Sequence, residues 1–147
     1  MKKIFLMLGR VCISLVFIAA VANYFLNWDA SLQLLVNGLG EWLKLPGLPE
    51  LATKILNWMQ VNASLLVIIA ALFAGVGGIL VFLGIKVELG AILLILFLIP
   101  TTFLLHSFWL LQGPLRDAAL GVFLKNVSVL GGLFVLAATA GKGGGGE

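Results

Sequence analysis

Charge is what this sequence has least of. Among 147 residues, nine are Lys or Arg and six are Asp or Glu, for a net charge of +3. Ordinary soluble domains are about one-quarter charged. Cations this few and this scattered exclude a nucleic-acid-binding face. The single cysteine, Cys12, excludes an internal disulfide and a CxxC redox pair. Set in an apolar run, Cys12 reads as a buried structural residue, with a palmitoylated or reactive thiol as the alternative. The single histidine is His106. One His and one Cys with no carboxylate beside them fall short of a metal or haem site. No P-loop, Rossmann or catalytic-triad pattern is present either. The sequence therefore assigns no metal ligand and no catalytic residue.

What the chain does have is apolar side chains, 62% of the whole. A water-soluble fold of this size cannot hide so much apolar surface. Its solvent must be lipid, and a span needs roughly 20 apolar residues. Four runs meet that length: Ile4 to Leu26, Ala63 to Leu83, 88–109, and about Ala119 to Ala140. The expected fold is all-α: a polytopic membrane protein with a four-transmembrane-helix bundle and short amphipathic interfacial helices between the first and second spans. Residues 1–140 form one domain, and 141–147 form a flexible Gly-rich tail. A signal peptide is the competing reading of the first run, with Lys2 and Lys3 ahead of it and Ala20-Val21-Ala22 as a cleavage site. Arg10 breaks that run, which continues through Tyr24 and Leu26, so a retained helix is expected.

Between the first two spans lies a polar interlude, Asp29 to Asn62. Leu32, Leu35, Val36 and Leu39 recur at helical spacing, and so do Leu51, Ile55, Trp58 and Met59. Trp28, Trp42 and Trp58 suit a membrane–water interface. Two short helices are expected, lying on the bilayer or folded over the end of the bundle. In the second span Ala71, Gly75 and Gly78, widened by Gly77, form a small-residue stripe that lets another helix approach closely. Glu88 opens the third span, where a carboxylate favours a helix N-terminus. Pro100 removes a backbone hydrogen bond mid-span, and Thr101 and Thr102 can cover freed carbonyls.

Four spans place both termini on one side, together with Lys2, Lys3, Arg10, Lys86 and Lys142. The other side balances Lys44, Lys54 and Arg116 against four carboxylates. By the positive-inside rule the termini are cytoplasmic. Arg10 and Glu88 then share a depth, and an ion pair between them is expected. Glu88 and His106 lie about five turns, or about 27 Å, apart on one helix. At the outer level Asn23, Tyr24, His106, Trp109, Lys125 and Asn126 gather from three spans. They form a candidate ligand-binding cluster, because polar groups inside a membrane are costly and often functional. The alternative is that Lys125 snorkels, His106 bonds a carbonyl and Asn126 bridges helices.

The segments LGR, VGGILVFLGIKVELGAILLILFLIPTTFLLHSFW and FLKNVSVLGGLFVLA resemble the DoxX family of small four-helix bacterial membrane proteins. The resemblance runs from about Leu8 to Ala140. It implies relation to the small subunit of a thiosulfate:quinone oxidoreductase and to other membrane redox complexes. Two departures stand out. Ala74 stands where the family often has a Glu, and Glu88 where it often has a basic residue. The missing carboxylate at Ala74 weighs against intrinsic catalysis. The function implied is an accessory subunit of a quinone-linked membrane redox assembly, in the bacterial inner membrane. The alternatives are a structural or assembly partner and a small transporter or channel. Quinone is the candidate ligand, and no tightly held cofactor is assigned. The expected partners are the lipid bilayer, membrane redox proteins and further copies of the chain.

Overall fold

The chargeless run 63–83 is apolar on every face, the pattern of a helix with no side in water. In the computed structural model, which describes residues 1–140, it is the central helix of the bundle. The tail expected over 141–147 lies outside the described residues. The elements are α1 (Lys2–Leu26), α2 (Trp28–Leu43), α3 (Glu50–Val61), α4 (Ala63–Leu83), α5 (Val87–Leu105) and α6 (Gly113–Ala140), with a single 3-10 turn at Phe108–Leu110. Among the described residues, four helical stretches are long and apolar enough to cross a membrane. The all-α, four-span expectation therefore holds.

Glycines set how the spans meet. A Cβ on Gly77 of α4 would lie 2.9 Å from the Gly90 carbonyl oxygen of α5, and one on Gly90 would lie 2.9 Å from the Gly77 oxygen. The two backbones touch there, which only glycine permits. Gly78 and Gly75 point the other way, toward Ile18 and Val21 of α1. The small-residue stripe is thus used inside the chain, against two different helices. Around these contacts Phe17, Ala74, Val81, Leu94 and Leu133 form an apolar core shared by α1, α4, α5 and α6. The outward side chains are apolar too: Ile4, Leu15, Ile68, Leu72, Leu96 and Phe134 are all exposed. An exposed apolar surface of this extent belongs against acyl chains.

Sharp turns join the elements. Single asparagines, Asn27 and Asn62, separate α1 from α2 and α3 from α4. Each folds its amide back onto the preceding turn, Asn27 Nδ2 to Asn23 Oδ1 and Asn62 Nδ2 to the Trp58 carbonyl, both at 2.8 Å. The Asn62 side chain therefore does not cap α4. At the other end Gly84 closes α4 in the left-handed region, φ 75°, with Ile85 N–H donating to the Leu80 carbonyl. That bond pattern is the glycine C-terminal motif.

α2 and α3 fold across the bundle end rather than lying apart from it. Leu35 and Leu39 of α2 are buried with Leu56 of α3 and Val67 of α4. Trp42 Nε1 donates to the Leu104 carbonyl at 3.2 Å, and Gln60 Nε2 donates to the Val36 carbonyl at 3.0 Å. The α2 stripe reads correctly from sequence. The α3 stripe divides: Met59 packs inward with Leu56, while Leu51, Ile55 and Trp58 are exposed, as on a helix lying at the bilayer surface. At the bilayer surface both faces of such a helix find apolar surroundings, so periodicity alone does not say which one meets protein.

Three further expectations are corrected. Cys12 is exposed on α1, not buried, because a helix bathed in lipid has apolar residues on both faces. The third helix ends at Leu105, so His106 and Trp109 lie beyond it. The fourth span, expected from about Ala119, belongs to a helix that begins earlier, at Gly113. Pro114 falls in its first turn, where a missing N–H costs no hydrogen bond.

Candidate functional site

α4 and α5 touch near the end that carries the chain termini. Toward the other end they enclose a crevice of about 220 Å³, bordered by Phe73 of α4 and by Phe97, Pro100 and Thr101 of α5. α2 contributes Ser31 and Leu35, α3 contributes Met59, and α1 contributes Tyr24. The half-exposed side chains Leu34, Ile69 and Leu96 mark its opening on the lipid-facing surface.

The crevice has three hydroxyls, and two are already engaged. Ser31 Oγ donates to the Asn27 carbonyl at 2.9 Å. Thr101 Oγ1 donates to the Phe97 carbonyl, as a threonine beside a helix proline does. The Tyr24 hydroxyl makes no hydrogen bond among the described residues, while its ring packs edge-on against Phe97, 6.4 Å between centroids. A phenol left unpartnered in apolar surroundings carries a desolvation penalty of about 1–3 kcal/mol. A ligand carbonyl that accepts from it removes that penalty.

The expected six-residue cluster is divided between two places. Tyr24 lines the crevice. Asn23 is exposed and accepts from Asn27, away from the rest. His106, Trp109, Lys125 and Asn126 gather on the opposite side of α5, where it meets α6. His106 is partly buried at the exit of α5, and its backbone N–H donates to the Thr102 carbonyl at 3.1 Å. Lys125 stands close enough for its charge to act on the imidazole. Asn126 Nδ2 donates to Thr102 Oγ1 at 3.0 Å and so ties α6 to α5. Thr102 is 1% exposed, and its hydroxyl serves this link instead of covering a carbonyl. Replacing Asn126 by Ala should cost about 1 kcal/mol of stability, the usual worth of such a bond between membrane helices. A melting curve in detergent micelles identical to wild type would remove the bridge.

Trp109 is flanked by aromatic side chains of its own chain while staying 42% exposed. Trp42, Phe103, Phe108 and Phe123 surround it at centroid distances of 5.1–6.0 Å, mostly edge to face. This aromatic joint links α2, α5 and α6. The sequence reading missed both Phe97 and this joint. Pro100 was the available signal for the crevice, since a proline inside a span marks where the helix stops packing regularly.

The expected Arg10–Glu88 ion pair is not formed: among the described residues, pairs within 4.0 Å are Lys44–Glu41, Lys54–Glu50 and Arg116–Asp117. Both side chains border one recess at the terminal end, so their shared depth was read correctly. The guanidinium is drawn instead against Gly84, where a missing Cβ makes room, and Glu88 stays exposed. Among the described residues no three His, Cys, Asp or Glu side chains converge in a way that could hold a metal ion.

A family model described as DoxX matches residues 5–107. The match takes in the first three spans and the interlude, and it ends before Trp109, Lys125 and Asn126. No curated protein matches the chain, and no solved structure does.

Proposed function

Because the chain belongs to the DoxX family, we propose that it is an accessory subunit of a quinone-linked membrane redox assembly, holding the quinone while a partner transfers electrons. The observation that carries this reading is the apolar crevice on the lipid-facing surface with Tyr24 as its one unpartnered donor. Quinones reach proteins from within the bilayer, through apolar openings of this kind. The volume suits the ring and its first substituents, and the isoprenoid tail would remain among the acyl chains. Tyr24 would donate to one quinone carbonyl and Phe97 would flank the ring.

Two observations favour an accessory role over catalysis or transport by this chain. Ala74, which stands where the family often carries a carboxylate, is fully buried in the core among Phe17, Val81 and Leu94. The bundle axis is filled by that same apolar core, which supports a holding role over a polar transport path. The proposed location is the bacterial inner membrane with cytoplasmic termini, on the strength of the Lys and Arg excess at the terminal end. Membrane redox proteins are the proposed partners, with self-association as a further arrangement.

The second position for the quinone head is the α5–α6 cluster, where His106 and Lys125 supply donors. Melting temperatures with a soluble quinone analogue separate the two. The crevice predicts a rise of several degrees for wild type and His106→Ala, and none for Tyr24→Phe. The opposite pattern moves the ligand to the His106 cluster. No rise in any of the three proteins replaces ligand holding by a purely structural role, which co-purification in mild detergent would then test.

A further inference from the structure

The terminal end of the bundle has a recess of its own, about 580 Å³, bordered by Lys3 and Arg10 of α1, Lys86 of the turn, Glu88 of α5 and Thr139 of α6. Three cations from two segments of the chain face one carboxylate. Arg10 is the unusual member. Its Nε is shielded from solvent and has no hydrogen-bond partner among the described residues. Its Nη1 lies 2.6 Å from where a Cβ on Gly84 would stand. The glycine turn therefore makes space for the guanidinium without supplying it an acceptor. Lys86, beside it, holds a left-handed backbone with φ 45°, a strained choice for a residue other than glycine.

A half-buried guanidinium without an anion is costly, and Glu88 does not approach it. α5 begins at the recess, so its first N–H groups have no helical acceptor and add partial positive charge there. The remaining border is apolar, with Leu6, Val87 and Leu136. The Thr139 hydroxyl already donates to the Val135 carbonyl. The recess thus combines a cationic floor with apolar walls at the end of a membrane bundle. We propose that it binds the phosphate of an acidic phospholipid head group, with Arg10 as the principal contact, Lys3 and Lys86 at the rim, and one acyl chain along Leu6 and Leu136. Arg10 is planar and forked, which suits a phosphodiester. Glu88 opposes the anion and limits its affinity. This site is separate from the Tyr24 crevice and does not depend on it.

The test uses the full chain, delipidated in a neutral detergent, with melting temperature as readout. Phosphatidylglycerol should raise it by several degrees, while phosphatidylcholine and inorganic phosphate should not. Arg10→Gln should abolish the rise. Lys86→Gln, a change at an exposed side chain that leaves folding intact, should weaken the apparent affinity about fivefold, the usual effect of one surface cation. Glu88→Gln should strengthen it. An equal rise with phosphatidylcholine, or a full rise in both Arg10→Gln and Lys86→Gln, overturns the site. The same rise with inorganic phosphate alone overturns the lipid assignment. A loss of stability in lipid-free Glu88→Gln that disappears when Arg10→Gln is already present overturns the opposing role of Glu88 and restores an Arg10–Glu88 pair.

Discussion

Gly90→Val should destabilise the bundle by about 3 kcal/mol, the upper end of what overpacking costs. The new Cβ would stand 2.9 Å from the Gly77 carbonyl oxygen and from Val81 Cγ2, and 3.0 Å from Leu80 Cβ. A flexible side chain can yield to such a contact, but a helix backbone cannot, so α4 and α5 would have to separate along their length. Gly77→Ala meets the same obstacle from the other side, with a difference that a double mutant can read. Its added methyl would strike Leu94 Cδ2 and Cγ as well as the Gly90 oxygen, all at 2.9 Å. Leu94→Ala should therefore relieve part of the Gly77→Ala penalty, with a coupling of about 1 kcal/mol or more. The backbone contact would remain. Gly131 is the control. Nothing lies within 4 Å of a Cβ placed there, so Gly131→Ala should change stability by no more than about 0.5 kcal/mol. Thermal unfolding in micelles measures all five variants, the double mutant included. A Gly90→Val protein that melts with wild type would mean that the two backbones do not touch.

Leu39→Ala should open the α2–α3 cover while leaving the spans folded. Leu39 has 0% exposure, in a cluster with Leu35, Leu56 and Val67. Truncating a fully buried leucine costs about 2–5 kcal/mol. The cover is tied down by few other contacts, chiefly the bonds from Trp42 to Leu104 and from Gln60 to Val36. Local opening is therefore cheaper than global unfolding. Amide exchange should quicken through residues 28–61 and stay slow in α4 and α5. Stabilisation by a quinone analogue should fall as well, because Ser31 and Leu35 of α2 border the crevice. Leu51→Ala, at a site 70% exposed, should do neither. Uniformly faster exchange in every helix after Leu39→Ala would show that the cover and the bundle unfold as one unit.

Depth along the membrane was legible in the chain, and lateral position was not. Arg10 and Glu88 border one recess, because a helix rises a fixed distance per residue. Yet Arg10 turns to Gly84 and not to Glu88, and Tyr24 faces a crevice that His106 does not border. Which residues meet at one level depends on how each helix is rotated about its axis. In water the hydrophobic pattern reports that rotation. In lipid every face of α4 and α5 is apolar, and the pattern is silent. Cys12 was misread for the same reason.

The sequence alone determined the solvent, the number of spans, the all-helical class and the ends of the bundle at which each polar residue lies. Those follow from the apolar length needed to cross a bilayer and from the requirement that backbone groups there be paired within the segment. Only the tertiary structure decided that Gly77 meets Gly90, that Trp109 packs against aromatic neighbours, and that Tyr24 and Arg10 border cavities at opposite ends. Those outcomes rest on close packing between helices, where a missing Cβ or a single proline sets the approach of two backbones.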